Sequence, residues 1–255
     1  MSKMQQMLLA LLACLCFTTV IAQVNINVEI RGLEQRLKDN VRLFLSIEQQ
    51  KTHALMSEGR LHRLHKKAQL EITKALQPFG YYRPVIQTEL TQIAPGQWQA
   101  TYSVDPGPAI RVGEFNFKTS DEINQDTEFQ QLIQKFSLHK GSVFNHREYE
   151  NIKSSLAKLA AERGYFKARF NEHRIEIDLV AYEVRIHLNY EAGPRYRFGE
   201  VFLNQDVLEP DLIRRYIPFE KGAPYTLNEV LDLKQALNDS DYFQTVEVSP
   251  APPPV

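Results

Sequence analysis

Apolar and polar residues alternate in several stretches of the chain, which is the pattern of half-buried β-strands. The first such stretch places Val24, Ile26, Val28 and Ile30 on one side. The clearest stretch covers 181–190, where apolar residues at every second position alternate with charged or polar ones. Between these stretches the apolar residues recur every three or four positions, which is typical of helices that pack through one face.

The two periodicities predict a module in the order strand, helix, helix, strand, strand. In the first copy the helices cover 33–47 and 60–77, and two strands follow over 82–91 and 98–104. The second copy starts at 110, with helices near 129–136 and 146–163 and strands over 167–178 and 181–190. A third copy starts at 195 with a strand through Val201 and Leu203, followed by helices near 210–216 and 227–238.

Three short motifs support this repetition. Gly-Pro-x-x-Arg-x-Gly-Glu occurs at 107–114 and again at 193–200, each time before a predicted first strand. A Lys-Gly turn opens the long helix at 140–148 and 221–229, where Asn145 or Thr226 precedes a glutamate by three residues, as in a helix-capping box. The long helices end at Gly-Tyr-Tyr, Gly-Tyr-Phe and Asp-Tyr-Phe, and we expect these paired aromatics to lie in the cores.

The amino-terminal residues 1–22 are predicted to be a secretory signal. Lys3 precedes an apolar run that is too short for a comfortable membrane span, and small or branched residues stand before Gln23. An uncleaved anchor and a lipoprotein site at Cys14 are the alternatives. The modules then cover 23–106, 107–192 and 193–255, and the third is expected to lack its last strand because prolines crowd residues 250–254.

Charge and cysteine content exclude several classes of function. Without the predicted signal the chain carries 29 basic and 31 acidic residues, so it lacks the cationic surplus of a nucleic-acid-binding protein. Both cysteines, Cys14 and Cys16, lie within the signal. We therefore expect neither a disulfide nor a thiolate metal site in the mature chain.

One cluster has the spacing of a metal site. Glu58, His62 and His65 share a helix face, but the alternative of a solvated flank is favoured because four cations lie beside them. No phosphate loop, nucleophile motif or paired cysteine motif is present in the sequence. We predict a protein that is not an enzyme and that uses no cofactor, catalytic residue, metal or small-molecule substrate.

The repeated Gly-Pro motif is interpreted as a turn rather than a ligand loop, because two copies of one fold need the same turn twice. The predicted inter-domain hinges consist of Gly107, Pro108, Arg111, Gly193, Pro194 and Arg197. Arg111 and Arg197 are expected to brace the junctions between modules. The basic face of the second helix consists of Arg63, Lys66, Lys67 and Lys74. It is interpreted as a solvated face, with partner binding as the alternative.

The module order, the repeated turn and the Gly-Tyr-Phe helix exit together resemble polypeptide-transport-associated (POTRA) domains. More narrowly, Ile30–Leu33, 75–82, 159–166 and 193–201 resemble the periplasmic part of the TamA family, the outer-membrane subunits of the translocation and assembly module. The resemblance implies an α+β fold of tandem POTRA domains, each with a three-stranded mixed sheet covered by two helices. It also implies an outer-membrane barrel, and no barrel-like segments follow Val248 in this sequence.

The resemblance further implies that the last strand of each module is central, so that the middle strand forms an edge able to bind extended peptides. The predicted partner-binding residues are Val85, Ile86, Gln87, Thr88, Glu89 and Leu90, with Arg169, Phe170, Asn171 and Glu172. The implied partners are a TamB-like inner-membrane-anchored protein and unfolded outer-membrane barrel proteins or autotransporters. The expected location is the periplasm, on the outer-membrane side. A free periplasmic adaptor and a secreted metal-dependent hydrolase are the alternatives.

Overall fold

The computed structural model describes residues 24–53, 55–206 and 208–250, so the predicted signal lies outside the described residues. These residues form two compact units. The first contains the described residues up to Gln77 together with Tyr81–Pro108, and the second contains Pro78–Gly80 with the described residues from Ala109 onward. None of the helices in the described ranges is long and apolar enough to cross a bilayer.

Each unit contains a complete module with the predicted order of strands, but with three helices where two were predicted. The first module consists of β1 (Asn25–Arg31), α1 (Gln35–Phe44), α2 (Ser46–Gln50), α3 (Glu58–Leu76), β2 (Val85–Ala94) and β3 (Gln97–Asp105). The second consists of β4 (Arg111–Thr119), α4 (Asp121–Gln125), α5 (Thr127–Gln134), α6 (His146–Glu162), β5 (Arg169–Asp178) and β6 (Glu183–Glu191). Two further helices follow, α7 (Pro210–Arg214) and α8 (Leu227–Asp239).

Both sheets have the last strand of the module at the centre. The strand orders are β1-β3-β2 and β4-β6-β5, and the central strand pairs in parallel with the first strand and antiparallel with the second. Two mixed three-stranded sheets with helices form an α+β fold, as predicted. The central strands supply much of each core, since Ala100, Tyr102, Val184 and Ile186 are fully buried. The opposing layer of the core comes from the apolar stripes of α3 and α6.

The predicted helix over 33–47 is interrupted. Leu45 has extended backbone angles and separates α1 from α2, while Leu45 and Ile47 are both fully buried. In a continuous helix these two residues would lie about 200° apart and could not both face the sheet. The extended residue therefore allows both side chains to enter the core, and hydrophobic periodicity alone did not reveal the break.

The predicted first strand of the third module is wrong. Among residues 193–250 the structure describes helices α7 and α8 and one isolated bridge between Arg197 and Pro224, but no strand. In both complete modules the first strand is held by the central strand, and the described part of 193–250 contains no equivalent of it. The apolar residues of this region still form two small cores, around Phe198 and around Ile213.

The helix exits have the predicted left-handed geometry, but the aromatic pairs are only partly buried. Gly164 and Asp241 have φ angles of 81° and 58°. Tyr165 is buried, whereas Phe166 is 50% exposed and Tyr242 is 49% exposed. Phe166 packs edge-on against Tyr196 and Tyr225, with ring centroids 5.4 and 5.0 Å away. The second aromatic of this pair thus contacts the following segment rather than filling the core of its own module.

Replacing Gly164 by alanine should destabilise the protein more than replacing Gly222. Both glycines have φ angles above 80°, but a Cβ at Gly164 would lie 2.9 Å from Cβ of Tyr225, whereas nothing lies within 4 Å at Gly222. We expect Gly222→Ala to cost about 1 kcal/mol through backbone strain alone, and Gly164→Ala to cost about 3 kcal/mol because the clash adds to the strain. Urea unfolding of the two variants measures the difference, and equal losses would show that the contact with Tyr225 is unimportant.

Candidate functional site

Strand β2 is the outer strand of its sheet, and among the described residues no strand pairs with its outer edge. Its inner side pairs with β3 from Val85 to Gln92 in a regular antiparallel register, and the register shifts only near the turn, between Gln92 and Ala94. Side chains along it are mostly exposed, with Val85 and Ile93 exposed by 63% and 64%. Only one of its ten residues, Glu89, is charged. Exposed edges are usually protected by charges, prolines or bulges, so this edge is weakly protected.

Strand β5 forms the corresponding edge of the second sheet and differs in two respects. A bulge shifts its register between Phe170 and Glu172, leaving Asn171 outside the regular pairing. Five of its ten residues are charged, and Arg174 pairs with both Glu172 and Glu176. Phe170 faces the core side, where its ring lies 4.6 Å from that of Tyr190. Of the two predicted edges, β5 is therefore the better protected against pairing.

The repeated Gly-Pro motif and the repeated Lys-Gly turn bind each other in both copies. The amide of Phe144 donates to the carbonyl of Ile110 at 3.0 Å, and the amide of Tyr225 donates to the carbonyl of Tyr196 at the same distance. The Arg111 guanidinium donates to the carbonyl of Gly141 at 2.7 Å. That of Arg197 donates to the carbonyl of Gly222 at 2.8 Å. These bonds hold the start of each long helix against the segment that opens its module.

These contacts revise the expected role of the two arginines. Each guanidinium braces a turn within its own module and not a junction between modules. Both arginines make this contact because the Gly-Pro motif pairs with the Lys-Gly turn in each copy. Gly107 and Gly193 have φ angles of 69° and 65°, which agrees with the predicted turn geometry. The proposal that these positions act as hinges stays a prediction.

A buried ion pair lies in the second module, next to the residues that bond to the segment that follows. Asp126 caps α5 by accepting from the amide of Glu128. Its other oxygen accepts a hydrogen bond of 2.7 Å from Nε of Arg163 and forms an ion pair with the same guanidinium. The Tyr165 hydroxyl also approaches that oxygen, and burial, with the nearby Asp126 carboxylate, raises the pKa of Tyr165. Arg195 donates to the carbonyl of Arg163 at 2.9 Å and lies over the Tyr165 ring.

The two histidines of the candidate metal cluster lie against aromatic rings of β3. His62 packs edge-on against Trp98 at 5.4 Å, and His65 stacks on Tyr102, whose hydroxyl lies 3.1 Å from its Nδ1 atom. In the part of the chain that the structure describes, no group of three metal-ligating side chains is brought together. The structure therefore places both imidazoles in the contact between helix and sheet.

Comparison with known protein families identifies both complete modules. The profile of POTRA domain TamA domain 1 matches residues 27–106, and the POTRA profile, described as surface antigen variable number repeat, matches residues 110–193. The chain belongs to the POTRA-domain family. The matched ranges coincide with the two sheets and their covering helices.

A search of solved structures found periplasmic regions of BamA and Omp85 proteins with low sequence identity to this chain. One is BamA POTRA3-5 of Haemophilus influenzae, with 19% identity, 89% of this chain and 88% of that chain covered, and a TM-score of 0.43. A second is the N-terminal domain of Omp85 from Thermosynechococcus elongatus, with 17% identity, 89% of each chain covered and a TM-score of 0.33. A third is POTRA1-3 of Omp85 from Anabaena, with 14% identity, 85% and 84% covered, and a TM-score of 0.31.

The basic face of α3 is exposed at all four positions, Arg63, Lys66, Lys67 and Lys74. The sequence analysis did not identify Asp126 or Arg195 as functional, because neither occupies a position that is the same in both copies of a repeated motif. Asp126 could have been found as an N-cap residue before an apolar stripe, whereas the pairing with Arg163 joins residues that are distant in sequence.

Stability should fall at mildly acidic pH because of His65. Burial, and to a smaller extent the charge of His62, lowers the pKa of His65 in the folded protein. The unfolded chain therefore binds a proton first, so the full stability is present above about pH 6.5 and is lost progressively as the pH falls below that value. When the pH is lowered from about 8 to about 5, the melting temperature should drop less for His65→Gln than for the unchanged protein. Parallel curves would contradict this assignment.

Removing the charge of Asp126 should destabilise the second module. Asp126→Asn leaves the Arg163 guanidinium without its carboxylate in a largely buried site, at a cost of about 2 kcal/mol. The matched control is Glu162→Gln, which breaks the exposed pair with Lys158 and should change stability by no more than about 0.5 kcal/mol. Urea unfolding compares the two variants, and a similar effect of both would show that the buried pair contributes no more than a surface one.

Proposed function

We propose that this chain is the periplasmic scaffold of a TamA-like outer-membrane protein assembly factor, and that it binds extended polypeptides by adding them to the β2 edge. POTRA domains are the periplasmic parts of Omp85-type outer-membrane proteins, and the profile matched by the first module is that of the first TamA domain. The binding involves no chemical turnover. The affinity comes from hydrogen bonds between the backbone of β2 and that of the peptide, and the side chains contribute only loose selectivity.

The observation that carries the proposal is the weak protection of the β2 edge. A regular strand from Val85 to Gln92 offers unpaired backbone groups over about 27 Å, at about 3.4 Å per residue. Its single charge, Glu89, leaves little to repel an approaching strand. An incoming peptide would align antiparallel or parallel to β2 and extend the order β1-β3-β2 by one strand.

Strand β5 serves as the secondary edge in this proposal. Its bulge at Asn171 shortens the regular stretch, and the charges of Arg169, Glu172 and Arg174 must be accommodated by any added strand. We therefore expect β5 to bind more weakly than β2 and to favour peptides whose charges complement its own. The backbone groups used are those of the predicted partner-binding residues on each strand.

The proposed clients are unfolded outer-membrane proteins or autotransporters, and the proposed partner is a TamB-like protein anchored in the inner membrane. Strand addition suits such clients, because outer-membrane strands alternate apolar and polar residues and differ widely in sequence. A site that reads mainly the backbone accepts many of them. The location follows as the periplasm, on the side of the outer membrane.

Amide hydrogen exchange tests the proposal directly. A synthetic peptide of about ten residues that alternates valine and threonine should slow exchange at alternate amides of β2, and more weakly in β5. Alternation is expected because successive amides of a strand point to opposite sides, so only the outward ones gain a partner. Protection confined to the helices or to the open sheet face would contradict the proposal.

Two controls sharpen this measurement. The same peptide with proline at alternate positions lacks the donors and should give no protection. In the protein, Thr88→Pro and Glu89→Pro affect adjacent amides, of which one points outward and the other pairs with β3. The variant that keeps the melting temperature of the unchanged protein should lose peptide binding at β2. If that variant binds as before, strand addition at this edge is excluded.

A further inference from the structure

An exposed leucine lies at the centre of four cations on the outer face of α3. The buried residues of this helix, Leu61, Leu64, Ala68, Ile72, Ala75 and Leu76, form one stripe against the sheet. Leu70 lies on the opposite side and is 60% exposed. At about 100° per residue, positions three, four and seven residues away are the neighbours of Leu70 on the helix surface. These positions hold Arg63, Lys66, Lys67 and Lys74.

The four cations have no acidic partner among the residues that the structure describes. None of them takes part in the salt bridges found there, although several other lysines do. Of the two acidic residues of α3, Glu58 lies in the first turn and Glu71 accepts hydrogen bonds from Ser46. The positive charge around Leu70 is therefore uncompensated within the helix.

The long helix of the second module shows that this arrangement is not a general property of the fold. Helix α6 carries three basic and three acidic residues, and Lys153 and Lys158 lie beside Glu150 and Glu162. Helix α3 carries five basic residues and two acidic ones. The corresponding helix of the second module therefore lacks the excess of positive charge found on α3.

We propose that this face, formed by Leu70 with Arg63, Lys66, Lys67 and Lys74, docks an acidic segment of a partner polypeptide that inserts one apolar side chain beside Leu70. An apolar contact surrounded by charged groups is the usual composition of a small protein interface, in which the rim excludes water from the centre. The carboxylates of the partner would pair with the four cations. This face lies on the helical layer and is separate from the β2 edge.

A polypeptide fits the face better than an anionic membrane surface. Residues 107–255 carry 18 basic and 23 acidic residues, so a broad anionic surface would repel the rest of the chain. One exposed leucine also provides little apolar area for a bilayer, whereas membrane-binding helices present several large apolar residues. A local acidic segment contacts only the cationic face and needs only one apolar anchor.

Fluorescence anisotropy with a defined peptide tests the docking. The probe is a labelled peptide with a central leucine flanked on both sides by glutamates. The same peptide with glutamines in place of the glutamates is its control. Lys66→Glu with Lys67→Glu should raise the Kd for the acidic peptide at least about tenfold, and Leu70→Ala should raise it about threefold to tenfold. Binding should weaken as salt increases, because the pairs are exposed.

The matched control in the protein is Lys153→Glu with Lys158→Glu on α6, which makes the same change of charge elsewhere and should alter the Kd by less than about twofold. Lys66→Gln with Lys67→Gln provides a milder variant, and thermal melts establish that each variant is folded. The proposal is overturned if the reversal on α3 changes the Kd no more than the control does. It is equally overturned if the peptide fails to bind while phosphatidylglycerol vesicles bind through the same four cations.

Discussion

The central position of the last strand is the constraint on which each module depends. β3 and β6 pair on both sides, in parallel with the first strand and antiparallel with the second, so neither outer strand is held in the sheet without them. Their inward side chains are also among the most deeply buried residues of the chain. Residues 193–250 illustrate the same dependence, because the sequence of a first strand is present there and no strand is described. Alternating apolar residues are therefore not sufficient to form a strand where the described residues contain no central strand to pair with it.

The same topology creates the candidate binding site. Because the last strand is inserted between the other two, the second strand always becomes an outer strand with one unpaired side. The two modules protect that side differently. β5 has a bulge near its start and five charges, whereas β2 is regular from Val85 to Gln92 and has one charge. The difference between the two edges lies in their residues, since the topology of the two sheets is the same.

The repeated motifs have a structural meaning that neither motif shows alone. The Gly-Pro motif and the Lys-Gly turn are about 30 residues apart in each copy, and they are joined by the same backbone bonds and the same arginine contact. Together they attach the long helix to the first segment of its module. Beyond the motifs, the Asp126–Arg163 pair lies within the second module, and Arg195 connects that module to the residues that follow it by donating to the carbonyl of Arg163.

The sequence by itself determined the order of the strands and the positions of the long helices in the two complete modules, because these depend on local periodicity and on short turn and capping motifs. The α+β class came from the resemblance of these motifs to POTRA domains. The sequence also located the β2 and β5 strands and the basic face of α3. Only the tertiary structure decided the break at Leu45, the pairing of Asp126 with Arg163, the contacts of Arg111 and Arg197, and the loss of the expected strand after Arg195. Each of these depends on a partner that is distant in sequence, and the local pattern of residues carries no information about that partner.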